Sequence, residues 1–220
     1  MNNLPQEIFM QLNYFTIGVG AQIATGKDTL ADYLVTKLNL RYKDPNNMWV
    51  RNAFAKSVKD IYQTAFGVDK EFIEKYKRID TPPPGFGLPV RDSLITIGDG
   101  FRQMKSNVWI ENAFRNQQNH QIISDCRYRN ESHRIRELGG LTILMWRPEF
   151  ENDIDNPSEQ ELTPFIKKLK PMNFDGIIPT DFNIPFDLWI RNDGTIEDLY
   201  QKVDSIVIPF IDNFWGFEIN

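Results

Sequence analysis

The chain has 220 residues, with 30 acidic and 25 basic side chains and a formal net charge of -5. This length suits one α/β domain that buries enough surface to fold without a metal or disulfide, and the single cysteine, Cys126, excludes an internal disulfide. The acidic balance argues against broad nucleic-acid binding, and no stretch approaches the length of a membrane span or resembles a secretory signal. We therefore expect a cytoplasmic protein without nucleic-acid or membrane partners.

The first predicted elements are a strand, a tight turn and a helix. An apolar run predicts the strand at 14–19, and apolar residues at helical spacing predict the helix over 27–38. The turn between them is rich in small residues and ends in Gly26-Lys27. In a phosphate-binding loop, backbone N–H groups and the helix N-terminus face an anion, and the lysine reaches the outer phosphates. The alternative is an ordinary strand–turn–helix with an incidental Gly-Lys pair.

Two positions depart from the usual pattern of such a loop. Ala21 stands where the first glycine is expected, and its methyl group would obstruct the backbone if this position needs a positive φ. Asp28 replaces the hydroxyl residue that usually binds Mg²⁺, and Thr29 follows one place late. Asp28 either approaches Mg²⁺, directly or through water, or acts as a first-turn acid that favours the helix N-terminus. The sequence leaves both roles open.

The rest of the chain alternates predicted strands and helices. Apolar runs predict strands at 48–53, 120–124, 141–146 and 186–190. Helical spacing predicts helices over 54–66, 69–76, 90–104, 107–118, 129–138, 161–169 and 195–207. Gly98 and Gly100 are candidates for a break in the helix over 90–104. Five strands separated by helices predict a parallel sheet with right-handed crossovers, whose ligands lie beyond the carboxyl ends of the strands.

That rule selects charged residues that follow the strands. Lys27 supplies one positive charge, and Arg127 and Arg147 come after later strands. Arginine suits forked contacts with phosphate oxygens, although a solvated surface pair is the alternative for each arginine. Asp125 directly follows a strand, like the acidic residue that holds Mg²⁺ through water in P-loop enzymes. The sequence thus places phosphate-binding charge at one edge of the sheet.

A second group of candidates lies in the segment from Val90 to Trp109. On an unbroken helix Arg91, Gly98 and Arg102 share one side, with the arginines about 16 Å apart along the axis. A bend at Gly98-Asp99-Gly100 would let both arginines hold one phosphate; otherwise the segment is an amphipathic helix with a solvated arginine face. Trp109 is either a core residue or a platform on which a base stacks.

Several motifs recur in a familiar order over about residues 14–206. They are Gly26-Lys27-Asp28-Thr29-Leu30-Ala31-Asp32, Val90-Arg91 with Leu94, Ile97-Gly98 and Trp109, Asp125-Cys126-Arg127 with Glu131, Gly139 to Pro148, and Ile190 to Leu199. Together they resemble the phage deoxynucleoside monophosphate kinases. The resemblance implies a P-loop three-layer α/β fold with a five-stranded parallel sheet, a helical monophosphate-binding insertion and a lid. It also implies transfer of the γ-phosphoryl group of ATP to a deoxynucleoside monophosphate, with Mg²⁺.

The resemblance further implies one P-loop kinase domain over 1–220. Its core comprises about 14–54, 119–148 and 186–207, with the insertion at about 55–118, the lid at about 149–185 and a tail at 208–220. The residues in contact with ATP would be Ala24, Thr25, Gly26, Lys27, Asp28, Thr29, Arg147, Asn192 and Gly194. Of these, Asn192 and Gly194 would border the base. The acceptor site would comprise Arg91, Gly98, Asp99, Arg102, Trp109 and Glu131. Lys27, Arg127 and Asp125 would be catalytic, and Asp28, Thr29 and Asp125 would hold Mg²⁺.

Some features of the chain depart from that family. The lid begins acidic at Glu149, and Ser158-Glu159 corresponds to a family dipeptide without its neighbouring histidine. Two alternative functions therefore stay open. One is another small-substrate kinase on the same fold, and the other is a degenerate P-loop binding or structural protein, motivated by Ala21 and the aromatic tail. The preferred base and the formation of a homodimer are also left open.

Overall fold

The computed structural model describes residues 14–43, 48–115, 117–148 and 160–216. These residues form two compact units, one within Met1–Asn52 and Gln117–Asn220 and the other within Ala53–Asn116. We call the first the sheet unit and the second the helical unit. The predicted lid, 149–185, is covered only from residue 160, and Ser158-Glu159 lies outside the described residues.

The sheet unit is built on a six-stranded sheet. Its strands are β1 (Thr16–Ala21), β2 (Trp49–Asn52), β3 (His120–Ile123), β4 (Leu141–Trp146), β5 (Gly176–Ile177) and β6 (Leu188–Arg191). They lie in the order β2-β3-β1-β4-β6-β5, and all neighbours are parallel except β5 and β6. The predicted α/β fold with a five-stranded parallel sheet is confirmed. The antiparallel β5 was not predicted, because a two-residue strand carries no periodicity.

Nine α-helices lie wholly within the described ranges. They are α1 (Lys27–Tyr42), α2 (Lys56–Phe66), α3 (Lys70–Tyr76), α4 (Val90–Met104), α5 (Val108–Arg115), α6 (Arg129–Glu137), α7 (Thr163–Leu169), α8 (Ile196–Lys202) and α9 (Ile208–Trp215). Helices α2 to α5 make up the helical unit. None of the nine is long and apolar enough to cross a membrane.

The predicted break in α4 is wrong, because the helix runs unbroken through Gly98 and Gly100. Glycine lowers the stability of a helix interior by about 1 kcal/mol relative to alanine without preventing helix formation. The apolar face of α4, which includes the buried Val90, packs in the core of the helical unit with Tyr62 and Ile73. Tertiary packing therefore outweighs the low helix propensity of the two glycines.

Residues 208–215 of the predicted tail form a helix, α9, which corrects that part of the prediction. A π-helical turn at Val203–Val207 joins α8 to α9, and Pro209 lies in the first turn of α9. Because Lys202, Val207 and Ile208 all keep right-handed helical angles, the helical path is continuous here, and Pro209 removes one hydrogen bond inside it rather than at a free helix start. The buried side chains of Ile208 and Ile211 belong to the core of the sheet unit.

The central strands β1 and β4 are buried at all positions, as expected for parallel strands covered on both faces. In β1, a Cβ atom at Gly20 would lie 2.6 Å from the ring of Phe186 and 2.8 Å from the carbonyl oxygen of Cys126. Glycine at this position lets the turn after β3 approach the strand. The N–H of Cys126 completes that contact by donating to the carbonyl of Val19 at 3.1 Å.

Glu74 is the centre of an ion-pair cluster in the helical unit. Its carboxylate accepts from the Lys59 ammonium at 2.9 Å and also bonds Lys77. Partial burial would raise the pKa of Glu74, but the hydrogen bonds from Lys77 and Lys59 hold it down at about 2, below the ordinary 4.5. Lys59 and Lys77 are thereby paired within the unit.

We expect this cluster to make stability depend on acid pH. Because the folded pKa of Glu74 lies below its unfolded value, its contribution is present above about pH 4.5 and is lost as the pH falls toward 2. The unfolding free energy of Glu74→Gln should therefore fall less than that of the wild type between pH 5 and 3. The difference should be less than about 1 kcal/mol, because the Glu74 side chain is 40% exposed. Urea unfolding across this pH range measures the difference. Asp80→Asn, in an exposed loop of the same unit, is the control, and equal pH profiles for Glu74→Gln and wild type would contradict the expectation.

Candidate functional site

The loop between β1 and α1 is a tight turn held by its own side chains. Ala24 and Gly26 adopt positive φ angles of 61° and 91°. The buried hydroxyl of Thr25 donates to the carbonyl of Gln22 at 2.8 Å. The carbonyl of Gly26 accepts from the N–H of Leu30 at 3.0 Å, so α1 starts directly after the turn. This is the strand–turn–helix layout expected of a phosphate-binding loop.

The predicted obstruction at Ala21 is wrong. Ala21 is the last residue of β1, where it is fully buried and pairs with Met145 of β4. The positions that need positive φ are 24 and 26, and the first of these is an exposed alanine. The expected glycine position, with four residues between it and Gly26, falls in the strand, because β1 extends further along the chain than the apolar pattern indicated.

Lys27 and Asp28 belong to a network of ion pairs beside the loop. The Lys27 ammonium lies 3.3 Å from Asp28 Oδ2, and the Asp28 carboxylate also bonds the guanidinium of Arg51. Arg51 extends from β2 and contacts Asp32 of α1 through Nη1 at 3.1 Å. The side chain of Lys27 is 17% exposed, whereas that of Asp28 is 53% exposed. The lysine is thus enclosed beside the loop, paired with a carboxylate that a ligand can reach.

The proposed magnesium ligands offer oxygen atoms, which Mg²⁺ prefers. Asp28 and Thr29 lie in the first turn of α1, and Asp125 follows β3. Within the described ranges no three His, Cys, Asp or Glu side chains form a metal-binding group. A nucleotide-bound Mg²⁺ needs only one or two carboxylates, since phosphates and water supply the other ligands. The exposed carboxylate of Asp28 therefore fits Mg²⁺ that arrives with a nucleotide.

The candidates after β3 and β4 lie at the same edge of the sheet as the loop. The bond from Cys126 to Val19 ties the turn containing Asp125 and Arg127 to the end of β1. Arg147 directly follows β4, whose Met145 pairs with the last residue of β1. The rule that ligand-binding residues follow the strands therefore selected residues that the topology does bring to one edge.

Glu131, predicted to contact the substrate, is engaged with the backbone. The residue is 3% exposed, and its carboxylate accepts from the N–H groups of Arg127 at 2.8 Å and Tyr128 at 3.0 Å. These contacts cap the start of α6 and fix the turn that carries Arg127.

Burial, together with the charges of Glu131 and Asp125, raises the pKa of the Cys126 thiol. Cys126 therefore remains protonated and unreactive between these acids.

Asn192 and Gly194 follow β6. The backbone N–H of Asn192 donates to the carbonyl of Trp146 at 2.7 Å, and its side-chain amide donates to the carbonyl of Thr25 in the loop at 2.8 Å. Gly194 is exposed in the turn before α8, where Thr195 caps the helix by accepting from the N–H of Asp198 at 3.2 Å. Asn192 therefore contacts the loop directly.

The acceptor candidates, apart from Glu131, lie in the helical unit. Because α4 is unbroken, Arg91 and Arg102 are about 16 Å apart along its axis, and Arg102 pairs with Asp99 at 3.1 Å. Trp109 is 4% exposed and donates from its indole N–H to the carbonyl of Gly98 at 3.0 Å. A Cβ atom on Gly98 would meet only Arg102 Nη1 at 3.4 Å and Val58 at 3.9 Å. Packing alone therefore does not require glycine at 98.

Arg51 was missed by the sequence reasoning. It lies in β2, so it was counted as part of a strand rather than as a residue near the edge where strands end. The signal was present, because the carboxyl end of β2 belongs to the same edge as the loop in a parallel sheet. Which residues Arg51 would meet depended on the strand order, which places β2 beside β3.

No protein-family model matches the chain. The chain is 27% identical over 209 residues to a protein of Acanthamoeba polyphaga mimivirus named "Putative deoxynucleotide monophosphate kinase", and the match covers 87% of this chain and 95% of that protein. The chain resembles the deoxynucleotide monophosphate kinases. This relative confirms the resemblance inferred from the motifs, and the loop and the parallel sheet give the chain a P-loop kinase-like fold.

Two solved structures are also similar to the chain. One is a thymidylate kinase from Ehrlichia chaffeensis, with a TM-score of 0.44 and 10% identity, covering 89% of this chain and 100% of that one. The other is a shikimate kinase from Acinetobacter baumannii, with a TM-score of 0.42 and 13% identity, covering 92% and 97%. At these scores the assignment of fold rests on the strand order and the loop.

Proposed function

We propose that this protein transfers the γ-phosphoryl group of ATP to a deoxynucleoside monophosphate, giving the diphosphate for nucleotide supply. The observation that carries the proposal is the tight loop at the carboxyl end of the central strand β1, with Lys27 as the first residue of α1. The similarity to the mimivirus protein supports the choice of acceptor. Phosphoryl transfer asks a protein mainly for positioning and positive charge, and the loop supplies both.

The sheet unit would bind the donor. Backbone N–H groups from Ala24 to Lys27 and the N-terminus of α1 would face the phosphates, and the Lys27 ammonium would turn from Asp28 toward them. Mg²⁺, when bound, would neutralise phosphate charge beside Asp28, with Thr29 and Asp125 as further oxygen ligands. Arg127 and Arg147 would add positive charge that stabilises the transferring group.

The helical unit would bind the acceptor. Arg91 and Arg102 of α4 are too far apart to hold one phosphate together. We assign the acceptor phosphate to Arg91, because Arg102 is paired with Asp99. Gly98 would let the nucleotide approach the helix. Trp109 would support that surface through its bond to the Gly98 carbonyl rather than stack on the base, because its ring is buried against Phe101.

A coupled assay of ADP release over the four deoxynucleoside monophosphates tests the proposal. We expect Mg²⁺-dependent turnover with at least one of them and formation of the corresponding diphosphate, identified by its mass. Turnover only with acceptors that are not nucleotides would instead favour another small-substrate kinase. ATP binding without turnover on any acceptor would favour a degenerate P-loop protein. One of the two motives for that alternative, the obstruction at Ala21, is contradicted by the place of Ala21 in β1.

A further inference from the structure

The side chain of Asn192 is committed to the phosphate loop. It is 6% exposed, and its Nδ2 donates to the carbonyl of Thr25 at 2.8 Å, across 167 positions of sequence. A Cβ atom on Gly26 would lie 2.7 Å from that nitrogen. The amide therefore packs directly against the backbone of residues 25 and 26, and little of it is left for a ligand.

The bond to Thr25 determines which way the next N–H points. In a trans peptide the C=O and the N–H of the following residue point in opposite directions, and the chain has no cis peptide in its described ranges. With the Thr25 carbonyl held toward Asn192, the Gly26 N–H points to the opposite side of the peptide. That N–H is one of the donors that a phosphate loop presents to an anion.

Asn192 itself is held on a rigid support. Its backbone N–H extends the ladder between β4 and β6 by donating to Trp146 at 2.7 Å. The backbone N–H of the preceding residue, Arg191, donates to the Asp175 carboxylate at 2.6 Å. Its backbone carbonyl accepts from the Lys202 ammonium at 2.6 Å. A side chain fixed by its neighbours holds a functional loop more accurately than a mobile one.

We propose that Asn192 is a positioning residue of the phosphate loop, which aims the Gly26 N–H at the donor phosphates, and that it does not bind the nucleotide base. The inference rests on the proposed function of the loop as the donor-phosphate site. The family resemblance instead implies that Asn192 borders the base of ATP. The two roles make opposite predictions for a ligand that has phosphates but no base.

The test compares ATP with inorganic tripolyphosphate, both with Mg²⁺, by calorimetry on the wild-type chain, Asn192→Ala and Asn192→Asp. Neither variant can donate to the Thr25 carbonyl. We expect each to weaken both ligands by the same factor, about 5- to 100-fold, because the peptide between Thr25 and Gly26 is no longer held with its N–H toward the phosphates, which costs about one hydrogen bond to a charged group. Glu197→Gln, an exposed change in α8, is the matched control and should bind both ligands like the wild type.

Two results would overturn the inference. One is a loss of ATP affinity with unchanged tripolyphosphate affinity, which would place Asn192 at the base, and the other is unchanged affinity for both ligands. Partial unfolding of a variant does not obscure the outcome, since the ratio of the two dissociation constants is independent of the competent fraction. If the wild-type chain binds neither ligand, the phosphate loop is refuted and this inference falls with it. Tripolyphosphate binding without phosphoryl transfer would refute the kinase alone.

Discussion

Lys27→Ala is expected to lower kcat by roughly 10²- to 10³-fold, the usual cost of removing a group that stabilises transition-state charge. Lys27 opens α1 directly after the loop, and its side chain is largely enclosed there. An ammonium held at that point adds a full positive charge to the partial charge of the helix N-terminus. Steady-state kinetics with ATP and the preferred acceptor measure the effect.

The matched control for this change is Lys37→Ala. Lys37 lies on the same helix, where its ammonium pairs with Asp204 at the surface at 2.9 Å. Exposed pairs of this kind contribute little to stability, so kcat should stay near the wild-type value. Unchanged turnover in Lys27→Ala, with a normal melting curve, would exclude the proposed donor site.

Gly20→Ala is expected to destabilise the protein by about 1–3 kcal/mol, the usual cost of overpacking a core. The added methyl group would lie 2.8 Å from the carbonyl oxygen of Cys126, a backbone atom that cannot rotate away, and 2.6 Å from the ring of Phe186. Relief requires the turn with Asp125 and Arg127 to move away from β1. Activity should therefore fall along with the unfolding free energy, measured by urea denaturation.

Gly100→Ala provides a control of opposite sign. It is the same substitution, but nothing lies within 4 Å of the new methyl group, and the position is inside α4. Alanine should stabilise the helix by about 0.5–1 kcal/mol. A wild-type unfolding midpoint in Gly20→Ala would show that the strand and the turn are not in close contact.

The pattern of apolar and small residues along the chain predicted much of the fold. Runs of apolar residues located the five parallel strands, and the Gly26-Lys27 turn followed from composition and spacing. The conformation of the loop did not follow, because spacing counts residues but cannot tell where a strand ends. Ala21 was therefore treated as a loop residue, and the left-handed Ala24 was not recognised.

The partners of the loop were beyond the sequence for a different reason. Arg51 reaches Asp28, and Asn192 reaches Thr25, only because the strand order brings β2 and β6 to the same edge as β1. Sequence spacing contains no information on such pairings. The residues named after strand ends were therefore predictable as a group, whereas the individual contacts of each residue were not.

Helix α9 has a consequence for how the chain reaches its folded state during synthesis. Its Asp212 accepts from the Arg41 guanidinium at 3.0 Å, and the Trp215 indole donates to the Gly139 carbonyl at 3.0 Å. Ile208 and Ile211 share one core with β1 and α1. Since α9 is translated after every other described element, the sheet unit cannot complete its core while those residues remain in the ribosome. Nascent chains that stall earlier would expose apolar surface to chaperones and proteases.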